Sequence, residues 1–153
     1  MDITAHDLQG DYNHIITGVP ASFIDEAWPV VADLLEKALK HDYYGMSLAD
    51  VKEFIVNEEM QLWTVFDEAK HLLAACTTET NEAFGHKGCK IILLAGGHMS
   101  TWLDDLLDVI DRWATAQGCE YIEAIGRRGW EKAAKKFGYQ YGHTVIYKEL
   151  GHG

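Results

Sequence analysis

A chain of 153 residues is long enough to bury one hydrophobic core and too short for two, so residues 1–153 are expected to form a single domain. Twenty-four acidic residues against 13 basic ones give a formal charge of −11, and such a surface repels nucleic-acid phosphates and anionic lipid headgroups, which argues against both as partners. Cys76, Cys89 and Cys119 form no CxxC pair and leave one thiol over under any pairing, a usage that fits free thiols and folding in the cytoplasm.

The chain opens Met1-Asp-Ile-Thr without a basic or apolar leader. No stretch reaches the roughly 18 apolar residues of a membrane span, so neither export nor insertion is expected. His14 to Val19 reads as a short strand ahead of Pro20. Ile24, Ala27, Trp28, Val31, Leu34, Leu35 and Ala38 then recur at helical spacing. Asp25 is the expected cap of this helix, which would place Pro29 near the first turn, where a missing N–H is tolerated.

His41 to Met46 is a polar, aromatic connection. Ser47 with Asp50 three residues on signals the start of a second helix, whose buried stripe is Leu48, Val51, Phe54 and Ile55. Leu62 to Phe66 and His71 to Thr78 read as a hairpin turning at Asp67–Lys70, and the polar stretch Glu79 to Lys87 reads as a second turn.

Cys89 to Ala95 is a continuous apolar run that suits a central strand buried on both faces, ending at Gly96-Gly97. The longest helix is expected from about Ser100 to Gln117, stopped by Gly118. A strand at Tyr121–Ile125, a short helix from Trp130 to Phe137 closed by Gly138, and a final strand from about Thr144 to Leu150 complete the pattern.

Two helices, an antiparallel meander and a strand-helix-strand-helix-strand finish resemble the element order of GNAT acyltransferases. The stretch Glu120-Tyr-Ile-Glu-Ala-Ile-Gly-Arg-Arg-Gly-Trp-Glu-Lys-Ala-Ala-Lys-Lys-Phe-Gly-Tyr139 is similar to that family's late block. The Gly-Arg-Arg-Gly-Trp segment and the Lys-Glu-Leu ending also resemble small GNAT-like proteins of tailed bacteriophages. The residues themselves give Gly129 a tight turn into the helix, Trp130 an anchor and Gly138 a left-handed cap. The resemblance implies an α/β (α+β) fold: one GNAT-like domain with a mixed, mostly antiparallel central sheet and about four flanking helices.

It further implies acetyl-CoA as cofactor, lying between the two central parallel strands with its pyrophosphate on backbone N–H groups at a helix start. The matching positions are Leu94, Ala95, Gly96, Gly97, His98, Met99 and Ser100, with Arg127 and Arg128 as compensating charge. The usual Arg/Gln-x-x-Gly-x-Gly/Ala pattern is missing and the loop is shortened. Asp104 and Asp105 are placed in the first turn of the following helix, where they would satisfy its dipole, so a self-capped helix that binds nothing is the competing reading.

Acetyl transfer to an amine needs a base and an acid. The tyrosine that the family often uses as acid is matched by Ala134, and its asparagine by Arg127. Glu79 and His98 are the candidate catalytic residues; Glu82 and Glu123 are further possible bases, and His41, Tyr43 and Tyr44 possible lining of an acceptor pocket. The eight histidines show no HxxxH or HExxH spacing, so no metal site is expected.

Two functions remain open. One is an acetyl-CoA-dependent N-acyltransferase acting on a small-molecule or protein amine in the bacterial host cytoplasm, with a homodimer compatible. The other is a non-catalytic phage protein, either a virion component bound to phage structural proteins or an accessory factor.

Overall fold

The computed structural model describes residues 12–42, 44–126, 128–142 and 145–151. Among them the elements run β1 (Ile15–Val19), α1 (Ile24–Leu39), α2 (Leu48–Val56), β2 (Gln61–Phe66), β3 (Leu72–Ala83), β4 (His86–Gly96), α3 (Met99–Ala116), β5 (Tyr121–Ala124) and α4 (Arg128–Ala134). One sheet holds the strands in the order β1-β2-β3-β4-β5, antiparallel throughout except for β4 with β5. This is the expected α+β domain with a mostly antiparallel sheet and four helices.

Alternation along the strands divides the apolar residues between two cores. On β2, Trp63 and Val65 face one side and Leu62 the other, all without exposed surface. The first side is covered by the α3 stripe of Trp102, Leu103, Leu106, Ile110 and Trp113. Ile24, Val31 and Leu35 of α1 with Val51 and Ile55 of α2 cover the second. Trp63 meets Trp113 edge to face at 5.4 Å and donates its indole N–H to Thr78 Oγ1 at 2.9 Å, so its polar edge is satisfied inside the core.

The start of α2 carries the predicted capping box. Asp50 N donates to Ser47 Oγ at 3.1 Å and Ser47 N to the Asp50 carboxylate at 2.9 Å. Ser47→Ala should cost about 1 kcal/mol in urea denaturation. The Ser47 backbone N–H holds Asp50 below its ordinary 3.8, and the His71 backbone N–H does the same for Asp67 in the β2–β3 turn. A depressed folded pKa contributes stability that is complete above the unfolded value and lost as pH falls through the folded one. Urea midpoints should therefore start to fall below about pH 4, and Asp50→Asn should flatten that fall.

Four expectations change. The cap of α1 is Phe23 rather than Asp25, because a 3-10 turn at Ala21–Phe23 leads the chain in, and Pro29 lies in the second helical turn. Asp25 instead pairs with Lys52 of α2 at 3.2 Å.

The stretch from Glu79 is strand as far as Ala83. The turn is only Phe84-Gly85, with φ of 54° and 79°, the two left-handed residues of a tight hairpin. Asp104 and Asp105 sit in the second turn of α3, which has no acidic residue in its first.

Finally, residues 145–151 pair with no strand, and Ile146 is 92% exposed. Strand propensity is realised only where an edge is presented, and the neighbouring edge, β5, is four residues long. Thr144 lies outside the described residues.

Candidate functional site

The site begins with one extra residue. Thr78 pairs with Ile91 and Thr77 with Leu93, so Ile92 is bulged out of β4. The bulge breaks the alternation: Ile91 faces the α3 core while Ile92 and Leu93 both face the α1/α2 core. A bulge bends its strand and sharpens the twist. The parallel pairing of β4 with β5 covers Gly88–Ile91 and Tyr121–Ala124 and goes no further. Beyond it, Leu93–Gly97 and Ile125-Gly126 separate around a cavity of about 280 Å³ that also touches Leu34, Lys37, His41, Asp42, Met99 and Trp130.

Past Ile91, the β4 edge that faces this cavity has no strand partner among the described residues, which leaves main-chain N–H and C=O groups to meet a ligand. Gly96 is fixed by geometry: its φ is +150°, and a Cβ there would lie 2.5 Å from Leu73 O. Gly97 is under neither constraint, with nothing within 4 Å of an added Cβ. The late block's tight glycine is Gly126, where a Cβ would lie 2.1 Å from the Trp130 ring. Gly129 has open space.

At the head of the cavity α3 begins. Its N-cap, His98, is left-handed at φ 54° and gives no side-chain hydrogen bond to the helix. Trp102 pins the loop by donating its indole N–H to Gly97 O at 2.8 Å. With Asp104 and Asp105 in the second turn, no carboxylate caps the first-turn amides, so the self-capped reading loses its basis. Asp105 is drawn away to His14 of the strand side, Nδ1 to Oδ2 at 2.6 Å.

Met99 belongs both to this cavity and to a groove of about 690 Å³ between α3 and α4. The groove is lined by Met99, Ser100, Leu103 and Phe137 and rimmed by Lys132, Lys135 and Lys136, with Asp104 as its one carboxylate. Three lysines at one place in an acidic chain form a local anion-attracting patch.

Leu94, Ala95, Gly96, Gly97, Met99 and Ser100 are thus brought together across the two spaces. His98 is exposed and lines neither. Arg127 lies outside the described residues, and Arg128 opens α4.

Glu79 is on β3, also outside the lining, directly opposite Lys90 of β4, which is itself opposite Glu123 of β5. Lys90 Nζ is 3.6 Å from Glu123 and 5.8 Å from the Tyr44 ring centre. Burial works to lower the Lys90 pKa, but Tyr44, Glu123 and Glu79 outweigh it and the net shift is upward. Burial raises Tyr44.

Glu82 is exposed on the outer hairpin. His41 lines the cavity; Tyr44 lies beside Lys90, and Tyr43 is outside the described residues. Burial pushes the Cys89 thiol up to about 12 and Cys76 higher still, so neither is a thiolate nucleophile near neutrality. Among the described residues no His, Cys, Asp and Glu side chains gather as a metal-binding group, and no helix is long and apolar enough to cross a membrane.

Sequence reasoning missed the three groove lysines, although their i, i+3, i+4 spacing places them on one helical side, and it missed Lys37.

No family model matches the sequence, and no curated protein matches it. Solved structures do. A probable acetyltransferase superposes with a TM-score of 0.67 at 14% identity, covering 90% of this chain and 97% of that one. A GNAT family acetyltransferase of Staphylococcus aureus gives 0.64 at 11%, covering 91% and 100%. Glucosamine-6-phosphate N-acetyltransferase of Arabidopsis thaliana gives 0.65 at 10%, covering 92% and 100%. Superposition over 90–91% of this chain, with β5 pairing parallel to β4 and then parting from it, identifies the fold of this chain as the GNAT acetyltransferase fold.

Proposed function

We propose that the protein is an acetyl-CoA-dependent N-acyltransferase. The observation that carries this is the cavity between β4 and β5, which shares Met99 with a lysine-rimmed groove beside it; the two together suit a long, thin ligand with phosphates at one end. The unpaired β4 edge at Leu94 and Ala95 would hold the amides of the pantetheine arm, the first turn of α3 the pyrophosphate, and Lys132, Lys135 and Lys136 the phosphates of the nucleotide.

Bound there, acetyl-CoA supplies an acetyl group activated as a thioester. An amine acceptor would enter from the α1/α2 side, where His41, the described imidazole on the cavity lining, would take the proton from the attacking nitrogen. The Glu79–Lys90–Glu123 row lies two residues down the same strands, where it would order the acceptor. Ala134 offers no proton to a departing thiolate.

Ala134 also favours a second reading: a GNAT-fold protein that binds another protein without catalysis, as a phage virion component or accessory factor would. Isothermal titration decides between them. Acetyl-CoA should bind at micromolar Kd. Replacing Lys132, Lys135 and Lys136 together by Ala should weaken it about tenfold or more and reduce its salt dependence. No heat of binding at high micromolar protein would favour the second reading.

A further inference from the structure

The pairing of β2 with β3 ends at Gln61 and Thr78, so the outer half of the β3–β4 hairpin runs past the end of β2 as a two-stranded arm. On its β4 side the arm is joined to β5 at Gly88–Ile91. On its β3 side Glu79–Ala83 has no strand partner among the described residues, and Asn81, Glu82 and Ala83 are exposed. Main-chain N–H and C=O groups along such an edge are a template for another strand. At the end of the arm Phe84 takes φ 54°, the first left-handed position of the hairpin turn. That position favours asparagine, and a bulky side chain there strains the backbone. Phe84 is also 100% exposed, so no packing within the described residues offsets either the strain or the apolar surface left in water.

We propose that this edge and Phe84 form an interaction surface for a second copy of the chain, the two arms pairing antiparallel across a two-fold axis. Such an axis, perpendicular to the sheet, keeps each face on its own side and therefore passes beside one residue of the strand. Because β2 already occupies the side of Thr78 that a new strand would take, the longest pairing it permits is centred on Asn81 and uses all five free positions. In that register Glu79 faces the partner's Ala83 and Thr80 faces the partner's Glu82, so no carboxylate opposes another. Phe84 comes beside the partner's Thr78, at the start of β2, where a second chain shields it from water. The steric limit and the charge pattern select the same self-complementary register, which favours a second copy over an unrelated strand. The inference does not depend on the acetyl-CoA reading.

Sedimentation equilibrium of the full chain should show a monomer–dimer equilibrium with a Kd of about 10–200 µM, as suits a small interface. It should tighten as salt screens the charge of −11 on each copy. Ala83→Glu sets a carboxylate opposite the partner's Glu79, twice by symmetry, and should raise that Kd about fivefold, whereas Ala83→Lys should lower it by a similar factor. Ala83 is exposed, so neither should move the melting temperature by more than about 2 °C. Phe84→Asn gives the turn its preferred residue and should raise the Kd about tenfold or more without lowering the melting temperature. A chain that stays monomeric up to about 500 µM overturns the proposal. So does a dimer whose Kd responds to none of the three variants, or moves in the same direction for both charges at position 83. Should Phe84→Asn not fold, the opposite responses of the two Ala83 variants decide.

Discussion

Gly97→Asp is expected to weaken CoA binding by about two decades while moving the melting temperature by less than about 2 °C. The position is not in the left-handed region and nothing lies within 4 Å of a Cβ built on it, so an aspartate fits the fold without strain. Its carboxylate would enter at the junction of cavity and helix start, where the first-turn amides of α3 have no side-chain cap. Two like charges 4 to 5 Å apart at an effective dielectric near 20 repel by about 3 to 4 kcal/mol before screening by salt, and the new carboxylate would also occupy the helix amides. Gly97→Ala, which adds volume without charge, should stay within about threefold of wild type. Isothermal titration with CoA and a thermal melt check both halves of the expectation.

One residue earlier the same substitution type acts on the fold instead. Gly96→Ala should destabilise by about 2–5 kcal/mol, from strain at a φ of +150° and overpacking against atoms that cannot move aside. The added Cβ would meet Leu73 O at 2.5 Å and Ala74 Cβ at 2.8 Å, and Ala74 is the partner of Gly96 in the last β3–β4 pair. A melting temperature lower by about 5–15 °C is the expected reading. An unchanged melt would show that the loop adjusts freely. The two adjacent glycines therefore have separate reasons to be there, one serving the β3–β4 ladder and the other the open cavity.

The central strand was legible because Cys89–Ala95 is apolar at every position but Lys90 and is bounded by glycines. For the same reason the bulge at Ile92 was not. When both faces of a strand are buried, Ile-Ile-Leu-Leu carries no period-two signal to show a slipped register, and the parting of β4 from β5 follows from that slip.

Glu79 and Glu82 were read as turn because the outer half of the β3–β4 hairpin extends beyond the end of β2 at Gln61–Thr78, where no core imposes alternation. The carboxylates Asp104 and Asp105 were credited with capping because helix starts are legible only to within a residue or two, and here one turn decides whether the amides are free. Ser47 with Asp50 needed no such precision: the capping box is local chemistry and formed as read. His41 reached the cavity through the loop after α1, whose course is set by the Asp42 carboxylate accepting from the backbone N–H of Tyr44 at 3.0 Å and of Met46 at 2.8 Å.

The opening between β4 and β5 is tested most directly by a backbone amide NMR titration with acetyl-CoA. Shifts should concentrate on Leu94, Ala95, Gly96, Gly97 and Met99 and, across the gap, on Ile125 and Gly126. Saturating ligand that leaves those amides unmoved, or amides of 93–95 already protected by hydrogen bonds to 125–126 in the free protein, would contradict the account.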